Sequence, residues 1–239
     1  MMKLKVFISG ADRGLGFSLT KKLLERGAVV YAGQFMPDWL ELAQLKVDFP
    51  DSLQLIPLDV GCDEHVKEAI QKIQATTTYL DVLICNAGII GWDEETTADI
   101  TDTQMMLEVY NVNAVGAVRL VEYCLPLLMN GNEQKICFVS SEAGSVSNCE
   151  RTHFFWYGMS KSAMNLYAKT LFNRLHPQGF KFRLYDPGWM KTYMLGEVNK
   201  LATYTPEAAA TFAVDYFFDQ IVLEDELVLR AYDGEILAF

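Results

Sequence analysis

Short apolar segments alternate with segments of helical periodicity along almost the whole chain, and this alternation restricts the possible folds more than any other feature. The apolar segments lack the polar alternation of strands with one face in water, so we expect strands buried on both faces. Buried strands that are each followed by a helix are typical of a parallel sheet with helices on both faces. The sequence therefore predicts a doubly wound α/β fold.

The predicted strands cover residues 5–9, 28–32, 52–57, 80–85, 135–140, 180–186 and 227–231. The predicted helices cover residues 15–26, 38–47, 63–75, 102–129, 157–175 and 206–218. Asp63 stands at a good capping position, and the long helix is expected to bend or end near Pro126. No internal repeat, low-complexity run or Pro/Gly-rich linker interrupts the pattern, so we expect residues 1–239 to form a single domain.

Composition narrows the classes of function. With 239 residues, of which 51% are hydrophobic, the chain can bury one sizeable core. The formal charge of −11 argues against a nucleic-acid partner, because phosphate affinity needs clustered Lys and Arg. The five cysteines are odd in number and lack Cys-x-x-Cys spacing, which favours a cytoplasmic compartment without disulfides or a metal site. No uninterrupted apolar stretch has the length of a secretory signal or a bilayer span, so we expect no membrane partner.

A glycine-rich turn lies between the first predicted strand and the first predicted helix, with the sequence Ser9-Gly10-Ala11-Asp12-Arg13-Gly14-Leu15-Gly16. Glycines let the backbone turn tightly and approach a pyrophosphate, while a helix amino terminus offers free N–H groups and the positive end of its dipole. Such turns occur in many α/β proteins, but the placement between strand and helix favours nucleotide binding.

Tyr157 and Lys161 are four residues apart in a predicted helix, so their side chains project from the same helical face. A phenol beside an ammonium can form an acid–base catalyst, yet this spacing also occurs by chance in ordinary helices. The motifs before and after the pair decide between these two interpretations.

Further short motifs lie mainly where predicted strands end. They are Asp59-Val60, Asn86-Ala87-Gly88, Ser140-Ser141-Glu142-Ala143-Gly144 and Pro187-Gly188-Trp189-Met190-Lys191-Thr192, with Asn113 in the long predicted helix. Together with the glycine loop and the Tyr–Lys pair, their order resembles the compact, single-domain type of the short-chain dehydrogenase/reductase family over nearly the whole chain. Each motif alone is weak, whereas the ordered set is specific.

The closing segment, residues 231–237, contains a Tyr-Asp-Gly turn and is similar to the C-factor/sniffer-like branch of small carbonyl reductases. The family resemblance implies a Rossmann fold and a hydride transfer between a nicotinamide cofactor and a carbonyl or alcohol (EC 1.1.1.-). It also implies a homodimer or homotetramer.

By the same resemblance, Tyr157 is the acid–base that donates a proton to the developing alkoxide. Lys161 is expected to lower the pKa of Tyr157 through its charge and to hold the nicotinamide ribose. Ser141 is expected to bind the substrate oxygen, with Ser140 as the alternative assignment. Asn113 is expected to distort its helix and hold a water that relays protons to the lysine.

The resemblance also implies which residues hold the cofactor. Asp59 contacts the adenine with Val60 beside it, and Thr192 binds the nicotinamide carboxamide. The remaining predicted contacts are Gly10, Asp12, Arg13, Gly14, Leu15, Gly16, Asn86, Ala87, Gly88, Tyr157, Lys161, Pro187 and Gly188.

The choice between the two nicotinamide cofactors depends on the residues after the second predicted strand. An NAD site usually carries an acid there, and this chain has Gln34 instead. Arg13 can pair with a 2′-phosphate, so NADP(H) is favoured over NAD(H), although no basic residue follows the strand.

Two other functions remain open: a cofactor-binding regulator on the same fold, and a 3-oxoacyl-type reductase. The substrate pocket is expected to involve residues 145–156 and 193–204, which do not identify the molecule. Asp186, directly before Pro187, is either a solvated loop residue or a residue that tunes the pocket.

Overall fold

The computed structural model describes residues 3–91, 102–194, 196–219 and 224–239. The strands in these ranges are β1 (Lys5–Ile8), β2 (Val29–Gln34), β3 (Leu53–Pro57), β4 (Val82–Cys85), β5 (Lys135–Val139), β6 (Lys181–Asp186), β7 (Leu229–Ala231) and β8 (Ile236–Leu237). They form one sheet in the order β3-β2-β1-β4-β5-β6-β7-β8. All neighbours are parallel except β7 and β8, which are antiparallel.

The helices in the described ranges are α1 (Gly14–Glu25), α2 (Glu41–Asp48), α3 (Asp63–Gln74), α4 (Thr103–Tyr110), α5 (Gly116–Met129), α6 (Phe155–Leu175) and α7 (Pro206–Val214). Helices α3, α5 and α6 contribute to the core on one face of the sheet, and α1, α2 and α7 to the core on the other. The predicted doubly wound parallel sheet is therefore confirmed, with β8 as a short additional strand.

Every residue of β4 and β5 is buried, as expected for strands covered by helices on both faces. The strand order reverses between β1 and β4, so the loops that leave these two strands diverge to opposite sides. In such sheets this reversal opens a crevice beyond the carboxyl ends of the strands, where ligands bind.

Hydrogen bonds fix the two loops at this crevice to each other. The Ser9 hydroxyl accepts from the backbone amides of Asn86 and Ala87, each at 3.0 Å. In return, the Asn86 amide group donates to the backbone carbonyls of Ser9 at 2.9 Å and Gly10 at 3.0 Å. The glycine loop is thus held in place by the segment that follows β4.

The long predicted helix does not bend or end near Pro126, but it is distorted around Asn113, as the family resemblance implies. A π-helical turn, Asn111–Val115, joins α4 to α5, whereas α5 continues through Pro126. The Asn111 amide group donates to the Gly61 carbonyl at 2.9 Å, and Asn113 bonds to the backbone of Ile89. These tertiary hydrogen bonds hold the wider turn in place, and a sequence pattern does not reveal them.

The expected capping role of Asp63 is wrong. Cys62 is the capping residue and receives no help from its side chain, while Asp63 is the first residue of α3. Its carboxylate instead accepts from Arg119 at 2.8 Å and from the Tyr123 hydroxyl at 3.0 Å, both on α5. A tertiary contact between α3 and α5 has therefore replaced the local cap.

Among the described residues, the helical stretch 103–129 is long and apolar enough to cross a membrane by length and composition alone. Half of its most apolar window is buried inside the protein, and core helices commonly have the same properties. Leu120, Val121 and Leu128 lie in the core beneath the sheet, so the stretch packs here as a core helix.

Replacing Gly16 by Ala should disrupt the glycine loop. The added Cβ would lie 2.0 Å from the Gly10 carbonyl oxygen and 2.6 Å from the Asn86 amide nitrogen. We expect the free energy of unfolding to fall by about 1–3 kcal/mol, as for other overpacked sites. Urea denaturation measures this loss, and Lys21→Ala, at an exposed position of α1, is the control. Lys21→Ala should change the free energy of unfolding by less than about 0.5 kcal/mol. Equal stability of the two variants would contradict this packing.

Candidate active site

A cleft of about 430 Å³ lies beyond the carboxyl ends of the central strands. Most of the predicted cofactor residues line it, namely Gly10, Asp12, Arg13, Gly14, Leu15, Gly16, Asp59, Val60, Asn86, Ala87, Gly88, Tyr157, Lys161, Pro187 and Thr192. Gly188, Ser141 and Asn113 are outside this lining, while Ser140 is part of it. The structure thus gathers the scattered motifs at one end of the sheet.

The glycine loop enters the cleft in a conformation that favours glycine. Gly10 and Gly14 have φ angles of +65° and +58°, in the left-handed region. Helix α1 begins at Gly14, so its first N–H groups and the positive end of its dipole lie beside the cleft. This arrangement suits a phosphate group.

The Asp12 side chain has a partner inside the protein. Its carboxylate is buried and accepts from the backbone amides of Phe35 at 3.1 Å and Met36 at 2.8 Å. Asp12 therefore connects the glycine loop to the segment after β2 and shapes the cleft there. Phe35 and Met36 also line the cleft, although no motif pointed to them.

Arg13 contacts two aromatic side chains from distant parts of the chain. Its guanidinium carbon is 4.9 Å from the ring centre of Trp39 and 5.6 Å from that of Tyr193. The two rings meet edge to face at 5.1 Å. Such cation–π contacts restrict the position of Arg13 at the cleft. Trp39 was missed because its contact with Arg13 depends on the conformation of the segment between β2 and α2, which no motif specifies.

Helix α6 carries the Tyr–Lys pair into the other end of the cleft. Lys161 is buried, and its ammonium donates to the Val139 carbonyl at 2.9 Å. The ammonium is 5.7 Å from the centre of the Tyr157 ring. Tyr157 is partly exposed to the cleft, and its hydroxyl is hydrogen-bonded to Ser141.

The two adjacent serines differ in their contacts. The Ser140 hydroxyl donates to the Asn165 side-chain oxygen at 2.6 Å, in a buried contact. The Ser141 hydroxyl accepts from the Ala143 amide at 3.1 Å and also bonds to Tyr157. This geometry favours Ser141 over Ser140 as the partner of the phenol.

Desolvation shifts both members of the pair away from their charged forms. Protein atoms surround the Tyr157 hydroxyl and raise its pKa to about 12, and the hydrogen bond with Ser141 opposes this only in part. Burial lowers the pKa of Lys161 to about 8, against the attraction of the Asp186 charge. The lysine charge was expected to lower the pKa of Tyr157; in the structure desolvation raises this pKa, and the largest opposing influence is Ser141 rather than Lys161.

Asn113 lies in the π-helical turn and is almost fully buried. Its side-chain oxygen accepts from the Ile89 amide at 2.8 Å. Its nitrogen donates to the Ile89 carbonyl at 2.8 Å and to the Ser160 hydroxyl at 2.9 Å. Asn113 therefore joins the helix distortion, the loop after β4 and the helix that carries Tyr157.

The two expected substrate segments differ in their placement. Tyr193 and Met194, from the segment after β6, line the cleft together with Met190. Residues 145–156 contribute nothing to the cleft lining in the part of the chain that the structure describes.

Comparisons with known proteins show the family to which the chain belongs. The family model of short chain dehydrogenases matches residues 4–202. The chain therefore belongs to the short-chain dehydrogenase family of oxidoreductases. An uncharacterized oxidoreductase of Schizosaccharomyces pombe is 31% identical over 248 residues, which cover 98% of this chain and 97% of the relative.

Solved structures extend the comparison. The carbonyl reductase Sniffer of D. melanogaster is similar with a TM-score of 0.88 and 25% identity over 100% of both chains. An NADPH-bound carbonyl reductase from chicken fatty liver has a TM-score of 0.88 and 24% identity, also over 100% of both chains, and shows the same fold. The predicted family resemblance is confirmed, and Sniffer-like carbonyl reductases are among the structural neighbours.

Replacing Asn113 by Ala should destabilise the protein more than replacing Asn111 in the same turn. Asn113→Ala leaves the Ile89 amide and carbonyl without their partner, so we expect a loss of about 2–4 kcal/mol in the free energy of unfolding. Asn111→Ala removes one side-chain hydrogen bond and should cost about 1 kcal/mol. Chemical denaturation measures both, and similar losses would show that Asn113 is not the main support of the turn.

Proposed function

We propose that this protein is an NADP(H)-dependent carbonyl reductase, which in the reverse direction is an alcohol dehydrogenase. The observation that carries the proposal is the Tyr157 hydroxyl, bonded to Ser141 and followed one helical turn later by the buried Lys161 at the cleft. This set can bind and protonate a carbonyl oxygen. The glycine loop at the other end of the same cleft suits a dinucleotide.

The residues at the oxygen have distinct roles in the proposed reaction. When bound, a reduced nicotinamide supplies the hydride to the carbonyl carbon. Ser141 donates a hydrogen bond to the oxygen as negative charge develops there. Tyr157 then transfers its proton to that oxygen. Because the pKa of Tyr157 is raised to about 12, the phenol is protonated throughout the neutral range and is ready as a donor, which favours reduction over oxidation there.

Lys161 has two roles in this proposal. With a pKa of about 8 it is mostly protonated at pH 7, and its ammonium can hold ribose hydroxyls at the cleft. Asn113 fixes the Ile89 backbone and the start of α6 around it. The proton relay through a water at Asn113 stays a prediction.

The preference for NADP(H) rests on charge at the adenine end of the cleft. Strand β2 ends at Gln34 and offers no carboxylate to a ribose 2′-hydroxyl, while Arg13 lines the cleft and is held by Trp39 and Tyr193. A guanidinium favours a 2′-phosphate. The NADPH named for the chicken carbonyl reductase supports this choice.

Single-domain organisation, a cytoplasmic location and assembly as a homodimer or homotetramer stay predictions. The small-molecule carbonyl or alcohol is proposed only as a class, because the cleft lining does not name one molecule.

Arg13→Ala should weaken NADPH binding by about tenfold or more, since a charge-assisted hydrogen bond contributes about 1.5–3 kcal/mol. NADH binding should change little. Trp39→Leu should also weaken NADPH binding, but by less than Arg13→Ala, because it removes one of the rings that restrain Arg13. Arg26→Ala, beyond the far end of α1, is the control in calorimetric titrations. Equal weakening for both cofactors in Arg13→Ala would contradict a 2′-phosphate role.

Tyr157→Phe should lower the turnover of an aldehyde and ketone panel with NADPH by about 10²–10⁴-fold, because it removes the proton donor but keeps the ring. Binding of NADPH should stay nearly unchanged. Tyr167→Phe is the matched control on the same helix, since that hydroxyl is buried without a hydrogen-bond partner among the described residues. Wild-type turnover in Tyr157→Phe would exclude the proposed chemistry. Tight NADPH binding without turnover of any carbonyl by the wild type would favour the regulator.

A further inference from the structure

Asp186 is a buried acid that the proposed reaction does not use. It is the last residue of β6 and only 5% exposed, which excludes the solvated alternative left open by the sequence. Its position is one residue before Pro187, at the edge of the cleft. A carboxylate in such a place costs free energy unless it has partners.

The partners of Asp186 come from two different turns. Its carboxylate accepts from the Gly188 amide at 3.3 Å, and the backbone amide of Glu142 is close enough to lower its pKa. Glu142 directly follows Ser141, and Gly188 begins the loop that leads to Thr192. The Asp186 carboxylate therefore connects two turns of the cleft. One carries Ser141, the proposed ligand of the substrate oxygen, and the other contains Gly188.

Several charged or titratable groups interact electrostatically with Asp186. They are Glu142 and Arg151 after β5, Tyr157 and Lys161 on α6, Tyr185 on β6 and Tyr232 after β7. Of these groups, Lys161 matters most for the site. The charge of Asp186 is the largest influence that raises the pKa of Lys161. The same charge acts against ionisation of Tyr157.

We propose that Asp186 is a positioning residue of the active site, which holds the Ser141 turn against the Pro187 turn and keeps Lys161 positively charged. This inference rests on the proposed function and deepens it. The two effects work together: ionised Asp186 favours a charged lysine and a neutral phenol, which is the protonation state that carbonyl reduction needs.

Ionisation of the Asp186 carboxyl group should also make the stability of the protein depend on pH. Burial raises the pKa of Asp186 to about 6, against amide hydrogen bonds that lower it. A folded-state pKa above the unfolded value means that the folded protein binds the proton more tightly. The shifted pKa of Asp186 therefore adds to the free energy of unfolding below about pH 4, and this contribution is lost as the pH rises to about 6. Above that window the folded protein contains the charged form beside Lys161.

The test is Asp186→Asn, which keeps the shape and one hydrogen-bond acceptor but removes the charge. Asp233→Asn, the same change at an exposed turn after β7, is the control and should behave as wild type. The first measurement is kcat/KM for NADPH-dependent carbonyl reduction from pH 5 to pH 9. We expect wild-type activity to fall on the alkaline side near pH 8, where Lys161 loses its proton.

In Asp186→Asn the alkaline limb should move to lower pH, with at least a tenfold loss of kcat/KM at pH 8 and little loss at pH 5, where Lys161 is protonated in both proteins. A pH profile identical to the wild type would overturn the inference. A uniform loss at every pH would also overturn it, because that result indicates a merely structural role.

The second measurement is thermal unfolding from pH 4 to pH 8, which does not depend on turnover. Relative to Asp186→Asn, the wild type should lose stability as the pH rises from about 4 to about 6. A pH-independent difference between the two proteins would contradict the buried, ionising carboxylate.

The two hypotheses fail in different ways. If Tyr157→Phe is inactive while Asp186→Asn keeps the wild-type profile, the positioning role fails and the proposed reaction stands. If Tyr157→Phe keeps wild-type turnover, the proposed reaction fails and the role of Asp186 in it fails too. A pH-dependent stability difference would then show only that the carboxylate ionises in the fold.

Discussion

Burying the ammonium of Lys161 costs free energy, because water no longer solvates its charge, and this cost must be offset by nearby acceptors or charges. The protein supplies the Val139 carbonyl at 2.9 Å and the negative charge of Asp186. These two groups lie at the ends of β5 and β6, which pair side by side in the sheet. The position of the lysine thus depends on the parallel sheet, and the Tyr157 hydroxyl one helical turn away depends on the position of the lysine.

The rest of the site can be understood as support for these desolvated groups. The π-helical turn brings Asn113 to the Ile89 backbone and to Ser160, so that α6 and the loop after β4 are held together. At the far end, Asp12 and Arg13 connect the glycine loop to residues after β2 and β6. Both ends of the cleft are therefore fixed by polar contacts between segments far apart in sequence, which preorganises the site for charge development.

Much of this was predictable from the sequence, since buried strands and the ordered motifs restrict the fold and bring their ends to one edge of the sheet. The i, i+4 spacing correctly placed Tyr157 and Lys161 on one helix face. It could not give their protonation, because a pairwise charge estimate omits the desolvation that the surrounding atoms impose. The contacts of Trp39 and Asp186 also needed the structure, since they depend on the conformations of the segments that follow β2 and β6.

Desolvation keeps Tyr157 protonated and Lys161 only weakly basic in the free protein. NMR titration of protein labelled with [13Cζ]tyrosine measures the protonation of Tyr157, with Tyr157→Phe to assign the signal. We expect the Tyr157 resonance to keep the chemical shift of a neutral phenol past pH 10, in line with a pKa raised to about 12. A titration midpoint between about pH 6 and 8, as expected if the lysine charge dominated, would contradict it.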